Sequence, residues 1–323
     1  MALSRRTKVL LLVTSPAQLL SLLLVAWFLY TAHRPWEIPA AHRPPASWQQ
    51  KPERGLAVRS LGVSGFEISD GVTTLLLDPT PTRPPPWALI SGTIDADPAL
   101  GEKWCPKADA VLVNHAHFDH VLDAGDIAKR TGALVVGSQN TVNFALSKGV
   151  APERTRVVRD GERLTVGTFT IDVKASRHTD LLVSQPMSGV IVPAPRTLWF
   201  WQYALDDTFA YRLEAGGTTL WFHPTSTFAD GELGGLTAKN LIVGVSGEKQ
   251  TAAKVKGLVR EAQPARVMPT HFDNFFQPLD LGLALLPGTD LDAVKALFLA
   301  EAPGLEWGVT APDETVYFPP DAP

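Results

Sequence analysis

The hexapeptide His115-Ala116-His117-Phe118-Asp119-His120 places three imidazoles and a carboxylate directly after an apolar run, residues 110–114. The chain has only 8 histidines in 323 residues, so a chance H-x-H-x-D-H is roughly a one-in-a-few-thousand event. In an extended segment, side chains at i, i+2 and i+4 share one side. His115, His117 and Asp119 therefore project together from the end of a strand, while His120 opens the following helix on another bearing. Open sheets collect ligand sites outside the carboxyl ends of their strands. Imidazole nitrogens with a carboxylate suit Zn²⁺, and also Fe or Mn. Farther along, "KASRHTD", "LWFHPTS" and "RVMPTHFDNF" put His178, His223 and His271 where three more strands run out. His178 and His271 are expected to join the cluster, with His223 as a further candidate.

Composition closes off several alternatives. A formal net charge of -4 offers no basic face for nucleic acid. The single cysteine, Cys105, excludes an internal disulfide framework and a cysteine-rich zinc site, and reads as an inert buried thiol. Apolar content of 45% against 19% charged is that of a chain with a packed core.

The N-terminus departs from this pattern. Arg5, Arg6 and Lys8 precede residues 9–30, which carry no formal charge. At about 1.5 Å per residue this run spans about 33 Å, enough for a hydrocarbon core of roughly 30 Å. Trp27 and Tyr30 lie at its far end, where aromatic residues favour the interface. A cleaved signal peptide has a shorter apolar region and a small-residue exit; here the exit carries Tyr30. Residues 1–32 are therefore expected to be an uncleaved membrane anchor, ahead of a cleaved signal or a buried helix. The basic cluster puts the N-terminus inside and the remainder on the extracytoplasmic side. Residues 33–55, rich in proline, read as a semi-extended linker with His33 and His42 solvated. Residues 56–323 read as one catalytic domain.

Within that domain, periodicity predicts a hairpin over 56–79 and strands at 110–114, 133–138, 218–223, 241–246, 266–271 and 314–318. Helices are expected at 119–132, 139–149, 250–262 and 290–302, and a β-hairpin region at 156–176. Hairpins and strand–helix units are mixed, so the class is α+β rather than a purely parallel doubly wound sheet.

The succession of "LLLDP", "VNHAHFDH", "SRH" and "PTHFDNF" resembles the metallo-β-lactamase-fold superfamily of hydrolases over about residues 56 to 318. Within it the chain looks most like the branch of the ascorbate-phosphate lactonase and the N-acylphosphatidylethanolamine phospholipase D. The resemblance implies an αβ/βα sandwich, here following an N-terminal transmembrane helix, with the site on one edge of two packed sheets. It implies that His115, His117 and His178 hold a first metal, zinc by preference, and that Asp119, His120 and His271 hold a second. Such families usually bridge the two ions with an aspartate in G-D-T, where this chain reads His223-Pro224-Thr225. One tight ion and a weak or absent second are expected, unless His223, Asp206, Asp207 or Asp230 completes the site. Asp119 would orient water or act as general base, since a catalytic ion lowers the pKa of water to about 7.

Trp199, Trp201 and Tyr203, in "TLWFWQYALDDTFAY", form either a substrate wall or an aromatic strand pair of the core, and Phe272 adds to that wall beside His271. Asp273 is expected to steady a ligand imidazole from behind. The leading reading is a metal-dependent hydrolase using metal-activated water on an ester, lactone, amide or phosphodiester. Its alternatives are a phospholipid phosphodiesterase and a catalytically weak metal-binding component of a membrane complex. A small-molecule or lipid substrate and a membrane are the expected partners, and nucleic acid is not.

Overall fold

The computed structural model describes residues 34–88, 92–178, 187–194, 196–245 and 251–321. The anchor expected at residues 9–30 and His33 lie outside them. Among the described residues, no helix is long and apolar enough to cross a membrane.

Two seven-stranded sheets carry the fold. The first takes β1 Leu56–Ser60, β2 Phe66–Ser69, β3 Thr74–Leu77, β4 Ala110–Leu112, β5 Leu134–Gly137 and β6 Thr155–Val157. The second takes β7 Arg163–Val166, β8 Phe169–Ala175, β9 Phe209–Ala215, β10 Thr218–His223, β11 Asn240–Gly244, β12 Arg266–Thr270 and β13 Glu306–Trp307. The closing strand, β14 Thr315–Phe318, returns to pair with β1. In space the orders are β14-β1-β2-β3-β4-β5-β6 and β13-β12-β11-β10-β9-β8-β7. In each sheet one half is parallel: β3 to β6 in the first, β10 to β13 in the second.

Helices cover the outer faces. They are α1 Pro98–Trp104, α2 Phe118–Val121, α3 Ala124–Thr131, α4 Gln139–Ser147, α5 Ala252–Ala262 and α6 Leu291–Glu301. Strand residues therefore bury both faces, which is why β3, β4 and β11 are continuous apolar runs instead of alternating ones. Leu75, Leu77 and Leu112 meet Phe222, Ile242 and Met268 between the sheets. Leu76, Val111 and Val135 turn outward onto Ile127 and Phe144. Leu241, Val243 and Val267 do the same onto Val255, Leu258 and Phe298. This is the αβ/βα arrangement expected from the resemblance.

Three expectations need correction. The helix expected at 119–132 is two, because the Asp123 carboxylate turns away to accept from Thr82 N–H (3.1 Å) and Thr82 Oγ1 (2.6 Å), breaking the run between α2 and α3. The hairpin region at 156–176 is split between sheets: β6 closes the first, and only β7 and β8 pair as a hairpin in the second. The segment read as a solvated linker is packed. His42 is buried, its Nε2 2.9 Å from Asp292 and its Nδ1 accepting from Trp307 Nε1 (3.1 Å). Trp48 is 1% exposed, stands edge-on to Phe318 and donates to Glu306. Proline at 44 and 45 suppresses helical and strand periodicity without preventing burial, so the pattern carries no sign of packing.

Trp48 belongs to the core between the sheets although it lies outside the expected domain. Trp48→Ala should therefore lower unfolding stability by about 3–5 kcal/mol, measured as a shift of the urea midpoint. A change within a few tenths of a kcal/mol would return the segment to linker status.

Candidate metal centre

Strand ends from both sheets converge on one edge. β3 ends before Asp78, β4 before the histidine motif, β8 before His178 and β12 before His271. A staple at Asn114 holds the two sheets together there. Its N–H donates to Asp78 Oδ1 (2.7 Å), its carbonyl accepts from Phe209 N–H (2.9 Å), and its side-chain amide donates to the Phe209 carbonyl. Tyr211 Oη adds a bond to the Val113 carbonyl (2.7 Å).

Two ligand groups result, as the resemblance implied. Donor atoms of His115, His117 and His178 lie within 4.8 Å of one another, and so do those of Asp119, His120 and His271. The donor chemistry of the first group fits a divalent ion. His115 Nδ1 is engaged by Asn114 Oδ1, so Nε2 presents its lone pair, 3.1 Å from His117 Nδ1. A tetrahedral ion with bonds of about 2.0–2.1 Å has ligand edges of about 3.3 Å. Burial and the neighbouring imidazoles hold His115 well below its usual range. Burial also pushes His117 down to about 3, against the opposing pull of Asp119. Both imidazoles are thus neutral donors at neutral pH.

The second group is more acidic and more strained. Burial acts to raise Asp119, but His120 and His271 outweigh it and hold the carboxylate below its usual range. His271 Nε2 lies 3.1 Å from Asp119 Oδ2, and His120 Nε2 lies 3.6 Å from the same oxygen. Asp78, not singled out from the sequence, stands behind His120: its Oδ2 is 2.6 Å from Nδ1, and Ser64 Oγ is 3.0 Å away. Burial lowers His120, and the Asp78 and Asp119 carboxylates more than reverse that. The signal was the Asp-Pro pair closing "LLLDP", quoted only for its resemblance.

Val63, Asp78 and His271 adopt φ of 49°, 40° and 57°; aspartate and histidine visit this left-handed region more readily than most residues, but β-branched valine avoids it. Asp273 meets part of that cost. Both its oxygens accept from Val63 N–H (2.9 and 3.0 Å), and the Val63 carbonyl accepts from His271 N–H (2.9 Å). Asp273 thus steadies the His271 backbone, not a ligand imidazole as expected. Nearby Arg83 is buried, donating from Nη2 to the Leu61 carbonyl (3.0 Å), while its Nε and Nη1 have no hydrogen-bond partner among the described residues. Burial lowers its pKa against the pull of Asp273, Asp123 and Asp119.

His223 does not join either group. Its Nε2 lies 2.7 Å from Glu232 Oε1 and its Nδ1 lies 3.1 Å from the Thr225 carbonyl, so both ring nitrogens are committed. Ser176 Oγ closes the knot, 3.4 Å from His223 Nε2 and 3.2 Å from Thr225 Oγ1. Glu232 was missed because nothing in "FADGEL" distinguishes it from a surface acid. Asp206 is used by Asn140 N–H (2.7 Å), Asp230 by Arg260 (3.0 Å), and Asp207 joins neither ligand group.

Two of the four residues expected to line the substrate are buried in the core. Tyr203 is fully buried, its Oη donating to the Ile94 carbonyl (2.9 Å). Phe272 is buried too, edge-on to Trp36 at 6.1 Å. Both are core residues, since the second half of the aromatic run folds inward. Trp199 and Trp201 remain outside, stacked at 4.8 Å, with Trp201 42% exposed. The aromatic side chains beside the ligands are Phe118, Phe275 and Phe276, with Phe275 6.5 Å from the His271 ring. Cys105 is buried, its thiol pushed up to about 12 by burial, and is inert as expected.

The His223–Glu232 pair sets a pH window. Burial opposes the charge on His223, but Glu232 raises its pKa above the ordinary 6.5, so its contribution is present below 6.5 and fades as pH rises through the folded value. Glu232 is likewise opposed by burial and lowered by His223 below the ordinary 4.5, so its contribution is present above 4.5 and fades at lower pH. Glu232→Ala, which leaves a buried imidazole unpaired, should cost about 3–5 kcal/mol. The stability gap to the unmodified protein should be widest between pH 4.5 and 6.5. A gap independent of pH in thermal unfolding would argue against the ion pair.

Comparison with known proteins agrees with this geometry. A family model described as a beta-lactamase superfamily domain matches residues 57–271. A UPF0173 metal-dependent hydrolase of Pyrobaculum arsenaticum is 26% identical over 227 residues, covering 68% of this chain and 85% of its own. One from Thermococcus onnurineus is 28% identical over 228 residues, with the same coverage. Among solved structures, the metallo hydrolase Igni18 of Ignicoccus hospitalis aligns with a TM-score of 0.56 at 20% identity, over 81% of this chain and 98% of its own. The metallo-beta-lactamase fold protein YhfI of Bacillus subtilis aligns at 0.51 and 16% identity, over 82% of this chain and 100% of its own. With the family model spanning both sheets and both ligand groups, the chain belongs to the beta-lactamase superfamily, as an enzyme of the metallo-β-lactamase fold.

Proposed function

We infer that this metal-dependent hydrolase holds one ion tightly, zinc by preference, on His115, His117 and His178, and cleaves an ester, lactone, amide or phosphodiester with water. The observation that carries the reading is the pair of neutral imidazole nitrogens 3.1 Å apart, with His178 completing a three-nitrogen set. Such a set leaves one position open, where a divalent ion supplies Lewis acidity and lowers the pKa of water to about 7. Asp119, a member of the second group kept ionised by His120 and His271, would accept the hydrogen bond that orients the attacking water. Asp78 holds the proton on His120 Nδ1 and leaves Nε2 facing the site.

A second reading narrows the substrate to a membrane lipid, in the manner of the phospholipase D branch. It is favoured by the uncharged run 9–30 and the exposed Trp201. On that reading the N-terminus is inside, the anchor is retained, and the catalytic domain is extracytoplasmic. A catalytically weak metal-binding role in a membrane complex rests on the missing bridging carboxylate, whose place is occupied by the His223 knot.

The second ion is expected to be weak. Two dications a few Å apart repel, and a bridging anion normally offsets that. Elemental analysis after extended chelator dialysis should find about one equivalent per chain, and His117→Ala should lose it together with hydrolysis of model esters and phosphodiesters. Two equivalents in the unmodified chain, or undiminished metal in the variant, would contradict the assignment.

A further inference from the structure

Five large apolar side chains, Trp87, Val190, Val192, Trp201 and Leu281, stand exposed at 67%, 76%, 49%, 42% and 66%. Each lies within two residues in sequence of a side chain in, or packed against, one outer hydrophobic cluster, the one against the first sheet. Trp87 adjoins Ala88, Trp201 adjoins Phe200, and Leu281 shares a 3₁₀ turn with Leu279. Val190 and Val192 flank Ile191, whose N–H and carbonyl are tied to Asn140 and Asn143 so that its side chain points in and theirs point out. That cluster also contains Phe118, next in sequence to His117, and Phe275 and Phe276 pack against it, Phe275 6.5 Å from the His271 ring.

The place where the chain joins the domain lies against the same loop. Pro35 pairs with Ala284, Trp36 N–H donates to the Leu283 carbonyl (2.8 Å), and the Trp36 ring meets Phe272, next to His271. Residues 272–286 therefore carry both that junction and Phe275, Phe276 and Leu281. The uncharged run ends at Tyr30, five residues before Pro35. Five residues reach at most about 18 Å, so the end of that run lies within about that distance of Pro35, which pairs with the loop that carries Leu281. An apolar rim with tryptophan at its surface, so close to the end of a bilayer-length uncharged run, matches a membrane interface.

We propose that this rim docks on the bilayer that holds residues 9–30, so that the metal centre opens toward the lipid surface and takes an amphiphilic substrate from it. The proposal rests on the anchor reading above and deepens it by giving the domain one orientation. It does not depend on the number of metal ions.

The test uses the full chain reconstituted in phosphatidylcholine–phosphatidylglycerol vesicles, with single cysteines Val190→Cys, Trp201→Cys and Leu281→Cys carrying an environment-sensitive fluorophore. Val72→Cys and Val157→Cys, exposed but outside the cluster, serve as controls, and buried Cys105 stays unlabelled. The three rim labels should shift to the blue and be quenched by doxyl-labelled lipid at least several-fold more than the controls. Rim labels as wet as the controls, in protein that floats with the vesicles, would overturn the docking. A blue shift without lipid quenching would overturn it in favour of a protein neighbour, and protein that fails to float would remove the anchor as well. Metal content of the same samples reports separately on the ligand assignment.

Discussion

The Asn114 staple is the contact on which the site depends. Three of its polar groups are used on two strand ends, one in each sheet: the backbone N–H on Asp78 after β3, the carbonyl and side-chain amide on Phe209 at the start of β9. The first sheet supplies four of the six candidate ligands, all after β4, with Asp78 beside them because β3 and β4 run parallel and end together. The second sheet brings His178 and His271. Without a fixed seam between sheets at this edge, the two ligand groups would have no defined separation. Buried polar bonds of this kind are costly to leave unmade, so the seam is also specific.

Strain is concentrated where the second group is built. Val63, Asp78 and His271 all occupy left-handed backbone, and each is bonded to a residue of the site or its support. Asp273 fixes Val63, Val63 fixes His271, and Asp78 fixes His120. The ligands are thereby set before any ion arrives, which lessens the reorganisation that binding would otherwise require. Arg83 balances the carboxylates of this region from within the protein, at the expense of two guanidinium nitrogens left without a hydrogen-bond partner among the described residues.

The position where relatives of this fold usually carry a bridging aspartate is built as a closed knot. His223 spends both nitrogens on Glu232 and Thr225, and Ser176, two residues before His178, is bonded into the same unit. The knot therefore supports the exit of β8 instead of joining two ions. This asymmetry separates a three-nitrogen set that can act alone from a carboxylate-containing set that shares the edge.

The sequence by itself determined the strand-exit histidines and most of the strands and helices, because these rest on short-range pattern: strand alternation, helix periodicity, and a six-residue motif with little chance of arising at random; the division into two candidate ligand groups came from the resemblance to a known fold. Only the tertiary structure decided which polar residues stand behind them. Asp78 meets His120 across 42 positions and Asp273 meets Val63 across 210, distances over which local periodicity carries no information. The same limit explains the burial of His42, Trp48, Tyr203 and Phe272. A side chain's surroundings are set by segments far along the chain, and the pattern of its neighbours reports only the backbone on which it rides.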